Sequence, residues 1–216
     1  MKNKLLLLFF LLGVFFPLSA QESEVLISTS HTSLLLSTSQ GGELKFLYYG
    51  RKLTDADVHA IVSTESGSFS AYPVYGLNCP SESALSVQHE DGNMTLQMEV
   101  IGVETTHQEK ANLTVISLKD KVYPFYVKLC YKAYQDVDVI EAWTEISHKE
   151  KKNVKLNQFA SAYLPVRKGN VWLSSLYGAW ANEARLVQEP LEPGMKVIKN
   201  KDGVRNSHTA HAEVMF

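Results

Sequence analysis

The run KVYPFYVKLCYKAY, Lys121 to Tyr134, restricts the fold more than any other stretch of this chain. Tyr123, Phe125, Val127, Leu129 and Tyr131 occupy alternate positions, and the polar Lys128 and Lys132 fall between them. A period of two sends successive side chains to opposite faces of a strand, so this segment has one apolar face and one lysine-bearing face. Such a strand needs neighbours to pair with and a second layer to bury its apolar side. The same pattern recurs along the chain. VLISTSHTSLLLSTS, a turn at Gly41 and Gly42, and ELKFLYYG read together as a hairpin. Asp91-Gly92-Asn93 predicts a hairpin between ALSVQHE and the alternating run that follows, and Lys119-Asp120-Lys121 predicts the turn before the lysine-faced strand. VDVIEAWTEIS, VKLNQFASAYLPV and VWLSSLYGAW follow, separated by the charged turn at 148–153 and by 167–170. TDADVHA onward to YPVYGLNCPSES reads as a long loop. Nowhere do apolar residues keep a helical period over a dozen positions. The expectation is an all-β fold of roughly a dozen strands in two large stacked antiparallel sheets.

Ahead of this, Lys2 and Lys4 precede an apolar run from Leu5 to Leu18 that closes on Ser19 and Ala20. A basic start, a short apolar stretch and a small-residue end mark a secretory signal peptide at 1–20, with cleavage after Ala20 and export to the periplasm or the exterior. The run is shorter than the ~20 residues a membrane-spanning helix requires. Residues 21–216 then form one domain, large enough to fold without metal or a disulfide framework. The whole chain carries a formal net charge of −2 and no basic stripe, which argues against nucleic acid and anionic membrane as partners. The two cysteines, Cys79 and Cys130, could pair in an oxidising compartment or stand as separate buried thiols; sequence leaves both open. The last residues, Val214, Met215 and Phe216, are apolar with no polar tail, and predict that this chain is the front piece of a longer protein.

Signatures of catalysis are missing. No Gly-x-Ser-x-Gly, no phosphate loop and no dinucleotide fingerprint occurs, and no cofactor is implied. His208 and His211 are three apart in a strand-like segment and point to opposite faces, which does not suit a shared metal. The acidic residues lie beside turns or at alternating strand positions, and a solvated surface is the expected place for them. Trp143 and Trp172 lie in alternating segments and are expected in the core. Trp180 follows Gly178 at a strand end, and Tyr72, Tyr75 and Asn78 sit in the Pro/Gly loop, where ligand contacts concentrate on a rigid scaffold.

Several segments, in order, resemble the N-terminal domain of the glycoside hydrolase family 36 α-galactosidases. LYGAWANEARLVQEPLEPG is similar to that family's Gly-x-Trp-x-x-Glu segment, arginine run and Pro-Gly turn. YPVYGLNCPSESAL resembles its Tyr-Pro-x-Tyr-Gly segment. YQDVDVIEAWTEISHKEKKNVKLNQFASA resembles a strand pair with an Asp-Val-Ile step, and GVRNSHTAHAEVMF its closing Ser-His segment. The resemblance runs from about Leu34 to Phe216.

The resemblance implies a β-supersandwich, similar to galactose-mutarotase-like folds, followed by a (β/α)₈ barrel that carries both catalytic aspartates of a retaining hydrolase. On that reading the chain stops before the barrel and contributes no catalytic residue. The barrel is its partner, homo-oligomer contacts belong to the same reading, and the complete enzyme acts on α-galactoside oligosaccharides. Tyr75, Asn78, Trp180, Glu183 and Arg185 are the substrate or interface candidates. In many family members an aspartate, an aromatic and an arginine follow the Tyr-Gly step, where this chain has Cys79, Pro80 and Ser81; the lost carboxylate removes an acceptor for sugar hydroxyls. The alternative is a freestanding carbohydrate-binding β-sandwich, which would need exposed aromatics on one sheet face.

Overall fold

The computed structural model describes residues 23–39, 41–64, 69–76, 82–166, 169–179, 181–199 and 210–215. It is mostly strand: β1 (Ser23–Ser28), β2 (Thr32–Thr38), β3 (Leu44–Arg51), β4 (Phe69–Ser70), β5 (Leu85–Gln88), β6 (Met98–His107), β7 (Ala111–Asp120), β8 (Phe125–Tyr134), β9 (Val139–His148), β10 (Lys155–Phe159), β11 (Trp172–Ala179), β12 (Asn182–Pro190) and β13 (Ala210–Met215), with one helix, α1 (Asp55–Ser63). The chain divides into two compact units, 1–165 and 166–216.

In the first unit an amino-terminal sheet has the order β1-β2-β3-β4, a central sheet the order β6-β7-β8-β9, and β10 pairs with β5 in a separate ribbon. Every one of these strand pairings is antiparallel. One core gathers apolar residues from both large sheets. Val25, Ile27, Leu34, Leu36, Leu44 and Phe46 come from the amino-terminal sheet; Ile116, Leu118, Phe125, Val127, Leu129, Tyr131 and Ala133 come from the central one. The odd-numbered face of β8 is therefore the buried one, as its alternation predicts. Phe125 and Val127 are closed to solvent, and burying such a side chain contributes about 1.5–3 kcal/mol. Burial pushes the Tyr131 phenol up to about 12.

Four features differ from the sequence expectations. VLISTSHTSLLLSTS is two strands, β1 and β2, turning at 29–31. The turn is clamped from the central sheet: Asp138, in the left-handed region with φ 54°, accepts hydrogen bonds from the Thr29 hydroxyl, the His31 amide at 3.2 Å and the Thr32 hydroxyl at 3.3 Å. The Thr29 hydroxyl bond above all holds the Asp138 carboxyl below its ordinary range. That contribution is complete above the unfolded carboxylate value and is lost as pH falls through the lowered one.

The second difference is α1, where a loop was expected. Thr54 caps it, its hydroxyl accepting from the Asp57 amide at 3.3 Å while the Asp57 carboxylate accepts from the Thr54 amide at 2.9 Å. This reciprocal pair satisfies two donors at the helix start. Val58, with Ile61 and Val62 beside it, covers Leu35 and Leu47 on the outer side of the amino-terminal sheet, which is why β2 is buried on both faces. Third, the Asp91-Gly92-Asn93 turn forms, with the His89 amide donating to the Asn93 carbonyl at 2.8 Å, but it does not join paired strands. β5 pairs with β10 and β6 with β7. Fourth, the turn before β8 begins two residues late: Lys119 and Asp120 still belong to β7, and Asp120 is buried.

The second unit is a three-stranded antiparallel sheet with β11 between β12 and β13. Leu173 and Ser175 are buried on one face of β11, and Trp172, on the other, is 55% exposed. The expectation that Trp172 is a core residue is therefore corrected: on β11 its parity is opposite to that of Leu173 and Ser175.

Candidate functional site

The segment carrying Tyr75 is held by backbone bonds on both sides. The Tyr75 amide donates to the Leu85 carbonyl at 2.9 Å, and the Tyr75 carbonyl accepts from the Leu96 amide at 3.0 Å. Next to it Gly76 adopts φ +100°, and a β-carbon there would come within 2.7 Å of the Thr95 α-carbon, so only glycine fits. Three residues earlier Tyr72 turns inward and donates its hydroxyl to the Ala160 carbonyl at 2.9 Å, and burial raises its phenol. Tyr75 turns outward and is 50% exposed. A rigid backbone thus presents an aromatic ring to solvent, the arrangement a contact residue needs.

The other candidates are less complete. Asn78 and Trp180 lie outside the described residues, as do Cys79 and His208. Glu183 is in β12, with its side chain outside the described residues. Arg185 is exposed on β12 opposite Tyr177 of β11. Left-handed backbone at Ala181 and Ala184, φ 57° and 56°, kinks this hairpin end. Tyr75 belongs to the first unit and Arg185 to the second.

Two buried carboxylates were not foreseen. Asp120 is 1% exposed; its Oδ2 accepts from the Gln97 amide at 2.6 Å and its Oδ1 from the Val122 and Tyr123 amides at 2.8 and 2.7 Å. Glu150, read as part of a solvated turn, has a side chain 2% exposed and sits 2.8 Å from Nδ1 of the fully buried His89. Its second oxygen accepts from the Glu90 amide at 3.1 Å. The His89 ring stacks on Tyr123 with centroids 3.7 Å apart and meets Phe125 edge-on at 5.9 Å. Nε2 of His89 has no hydrogen-bond partner among the described residues. Both carboxylates tie loops to the core. Among the described residues no three His, Cys, Asp or Glu side chains converge as metal ligands would.

The other face of the central sheet sets lysines against glutamates across β8 and β9. Lys128 lies opposite Glu145, Cys130 opposite Trp143, and Lys132 opposite Glu141 across the β8–β9 pair. Trp143 is half-buried on this face and donates its indole N–H to Glu145 Oε1 at 3.4 Å, which corrects its expected core position. The signal was present in the sequence, because Trp143 has the parity of Glu141 and Glu145 rather than of Ile140 and Ile146. The Cys130 thiol is free and buried; burial, and then the neighbouring Glu145, pushes its pKa up, which keeps it protonated and inert.

Against known proteins, the model of the glycosyl hydrolase family 36 N-terminal domain matches residues 42–216. Alpha-galactosidase Mel36A of Lactobacillus acidophilus is 29% identical over 104 residues, covering 48% of this chain and 14% of that enzyme. Among solved structures, a variant of the GH36 α-galactosidase AgaA of Geobacillus stearothermophilus, in complex with 1-deoxygalactonojirimycin, superposes with a TM-score of 0.80 at 19% identity, over 89% of this chain and 31% of that one. AgaB of the same organism gives 0.77 at 21% identity, over 93% and 31%. The α-galactosidase of Lactobacillus brevis gives 0.70 at 20%, over 82% and 28%. At these identities the superpositions establish a shared fold, and the chain spans less than a third of each of these proteins.

Proposed function

The chain belongs to the N-terminal domain family of glycosyl hydrolase family 36, and from that premise we propose that it is the accessory β domain of an exported α-galactosidase. Its sheets are read as a β-supersandwich of the galactose-mutarotase-like kind. It supports a (β/α)₈ barrel that carries the bond-breaking aspartates and acts on terminal α-linked galactose in oligosaccharides. Residues 1–20 are the export signal, removed after Ala20. Tyr75, Asn78, Trp180, Glu183 and Arg185 are assigned to contacts with substrate, barrel or a neighbouring subunit.

The observation that carries this reading is the family match along 42–216 in a chain covering under a third of the similar enzymes. The chemistry of the described residues is consistent with a supporting part. Retaining glycoside hydrolysis needs two carboxylates about 5 Å apart in an open cleft. Here the buried carboxylates Asp120 and Glu150 are consumed by backbone amides and an imidazole. Expressed with its first twenty residues, the chain is expected outside the cytoplasm with Gln21 at its start and, once purified, to leave a chromogenic α-galactoside intact. Hydrolysis that a single carboxylate substitution abolishes would overturn the accessory role, and retention in the cytoplasm with Met1 in place would overturn export.

A further inference from the structure

We infer that Asn93 and Tyr123 are positioning residues for Tyr75: acting through Thr95 and Leu96, they fix where its exposed ring stands. Their purpose rests on the reading of Tyr75 as a contact residue, whereas the coupling itself rests on bonds within the first unit.

The Tyr75 main chain is fastened to residues 95–96. Its carbonyl accepts from the amide of Leu96, a residue closed to solvent, at 3.0 Å. Gly76 runs so close to Thr95 that a β-carbon would stand 2.7 Å from the Thr95 α-carbon and 2.8 Å from its Cγ2. Segments packed this closely do not shift independently. Where Thr95 goes, the Tyr75–Gly76 backbone follows.

Thr95 in turn is placed by the side chain of Asn93. The Thr95 amide donates to Asn93 Oδ1 at 3.0 Å, which fixes the exit of the turn between β5 and β6. The other end of that side chain, Nδ2, donates to the Tyr123 hydroxyl at 2.9 Å, and the hydroxyl donates to Asp91 Oδ2 at 2.8 Å. Asp91 Oδ1 accepts from the Asn93 amide at 2.9 Å, which closes the circuit. One phenol oxygen therefore accepts from one turn residue and donates to another, so it holds the turn from both sides.

Tyr123 is itself fixed from two further directions. Its amide donates to the buried Asp120 carboxylate at 2.7 Å, and its ring lies within 8° of parallel to the buried His89 imidazole. His89 is in turn paired with Glu150 at 2.8 Å. The turns that follow β5, β7 and β9 thus meet at Tyr123, and a line of bonds leads from it through Asn93 and Thr95 to Tyr75. A half-exposed ring held in place before contact loses less freedom when contact is made, which is what a supporting shell contributes to a contact residue.

Amide exchange and aromatic NMR on the purified chain test the coupling. Tyr123→Phe removes the hydroxyl and keeps the stacked ring; Asn93→Ala removes the Thr95 acceptor and the bridge to Tyr123. Each should speed exchange of the Thr95, Leu96 and Tyr75 amides at least about tenfold, ~1.4 kcal/mol in opening free energy, and shift the Tyr75 ring resonances. The Val127 and Leu129 amides of β8 should keep their rates. Tyr134→Phe, which takes a hydroxyl from Glu141 instead, should move none of these signals. Unchanged exchange at Thr95, Leu96 and Tyr75 in both variants would overturn the coupling. An equal rise at Val127 and Leu129 would do the same, because it marks a general loss of stability. An uncoupled Tyr75 would leave the accessory role standing, and α-galactoside hydrolysis by the chain would leave the coupling standing.

Discussion

Asp120→Ala should cost about 3–5 kcal/mol of folding stability, the range for stripping a buried charge from its partners. The carboxylate is the acceptor for three main-chain N–H groups, those of Gln97, Val122 and Tyr123, and it is 1% exposed. Alanine leaves all three donors without their acceptor, and each donor left so in a buried place costs about 1–3 kcal/mol. Asn is the informative second substitution. Its amide restores one oxygen but turns an N–H₂ group toward an N–H, so the loss should fall between wild type and alanine. Urea unfolding read by circular dichroism measures this directly, and an alanine variant within ~0.5 kcal/mol of wild type would show that Asp120 is hydrated rather than buried.

Glu150→Ala should be nearly as damaging, about 3 kcal/mol, because it removes one member of a buried pair and leaves the other unpartnered. His89 Nδ1 loses its 2.8 Å contact and the Glu90 amide its 3.1 Å acceptor. The imidazole then has both nitrogens unsatisfied, since Nε2 already lacks a partner among the described residues. A double-mutant cycle with His89→Leu separates the pair from its parts: the double variant should recover much of the loss, since a leucine beside Tyr123 and Phe125 needs no hydrogen bond. Additive losses from the two single variants would refute a direct coupling.

Neither residue could have been picked out from the sequence, and the reason is the same. Lys119-Asp120-Lys121 and the charged stretch at 148–153 have the composition of solvated turns. What buries Asp120 and Glu150 is the approach of segments far away along the chain, Gln97 for one and His89 for the other. Local pattern was read well where one face of a strand meets one core, as in Phe125, Val127, Leu129 and Tyr131. It also located the Asp91-Gly92-Asn93 turn but misassigned its strands, because turn chemistry fixes a local reversal and not which sheet each arm joins. The helix α1 was legible in its Thr54-x-x-Asp57 cap, yet at nine residues it is too short to show a helical period. Of the candidate contacts, Tyr75 is the one whose exposure and anchoring the structure describes in full; Trp143 was expected in the core because its size was weighed before its parity.

As an accessory domain the chain should be a self-supporting scaffold, folded around one shared core before any catalytic body is present. Native-state hydrogen exchange on the chain alone is the direct measurement. Amides of β2, β7 and β8, whose side chains fill that core, should be the slowest and should lose protection together as denaturant is added. Protection absent throughout those strands, or lost separately in the amino-terminal and central sheets, would contradict it.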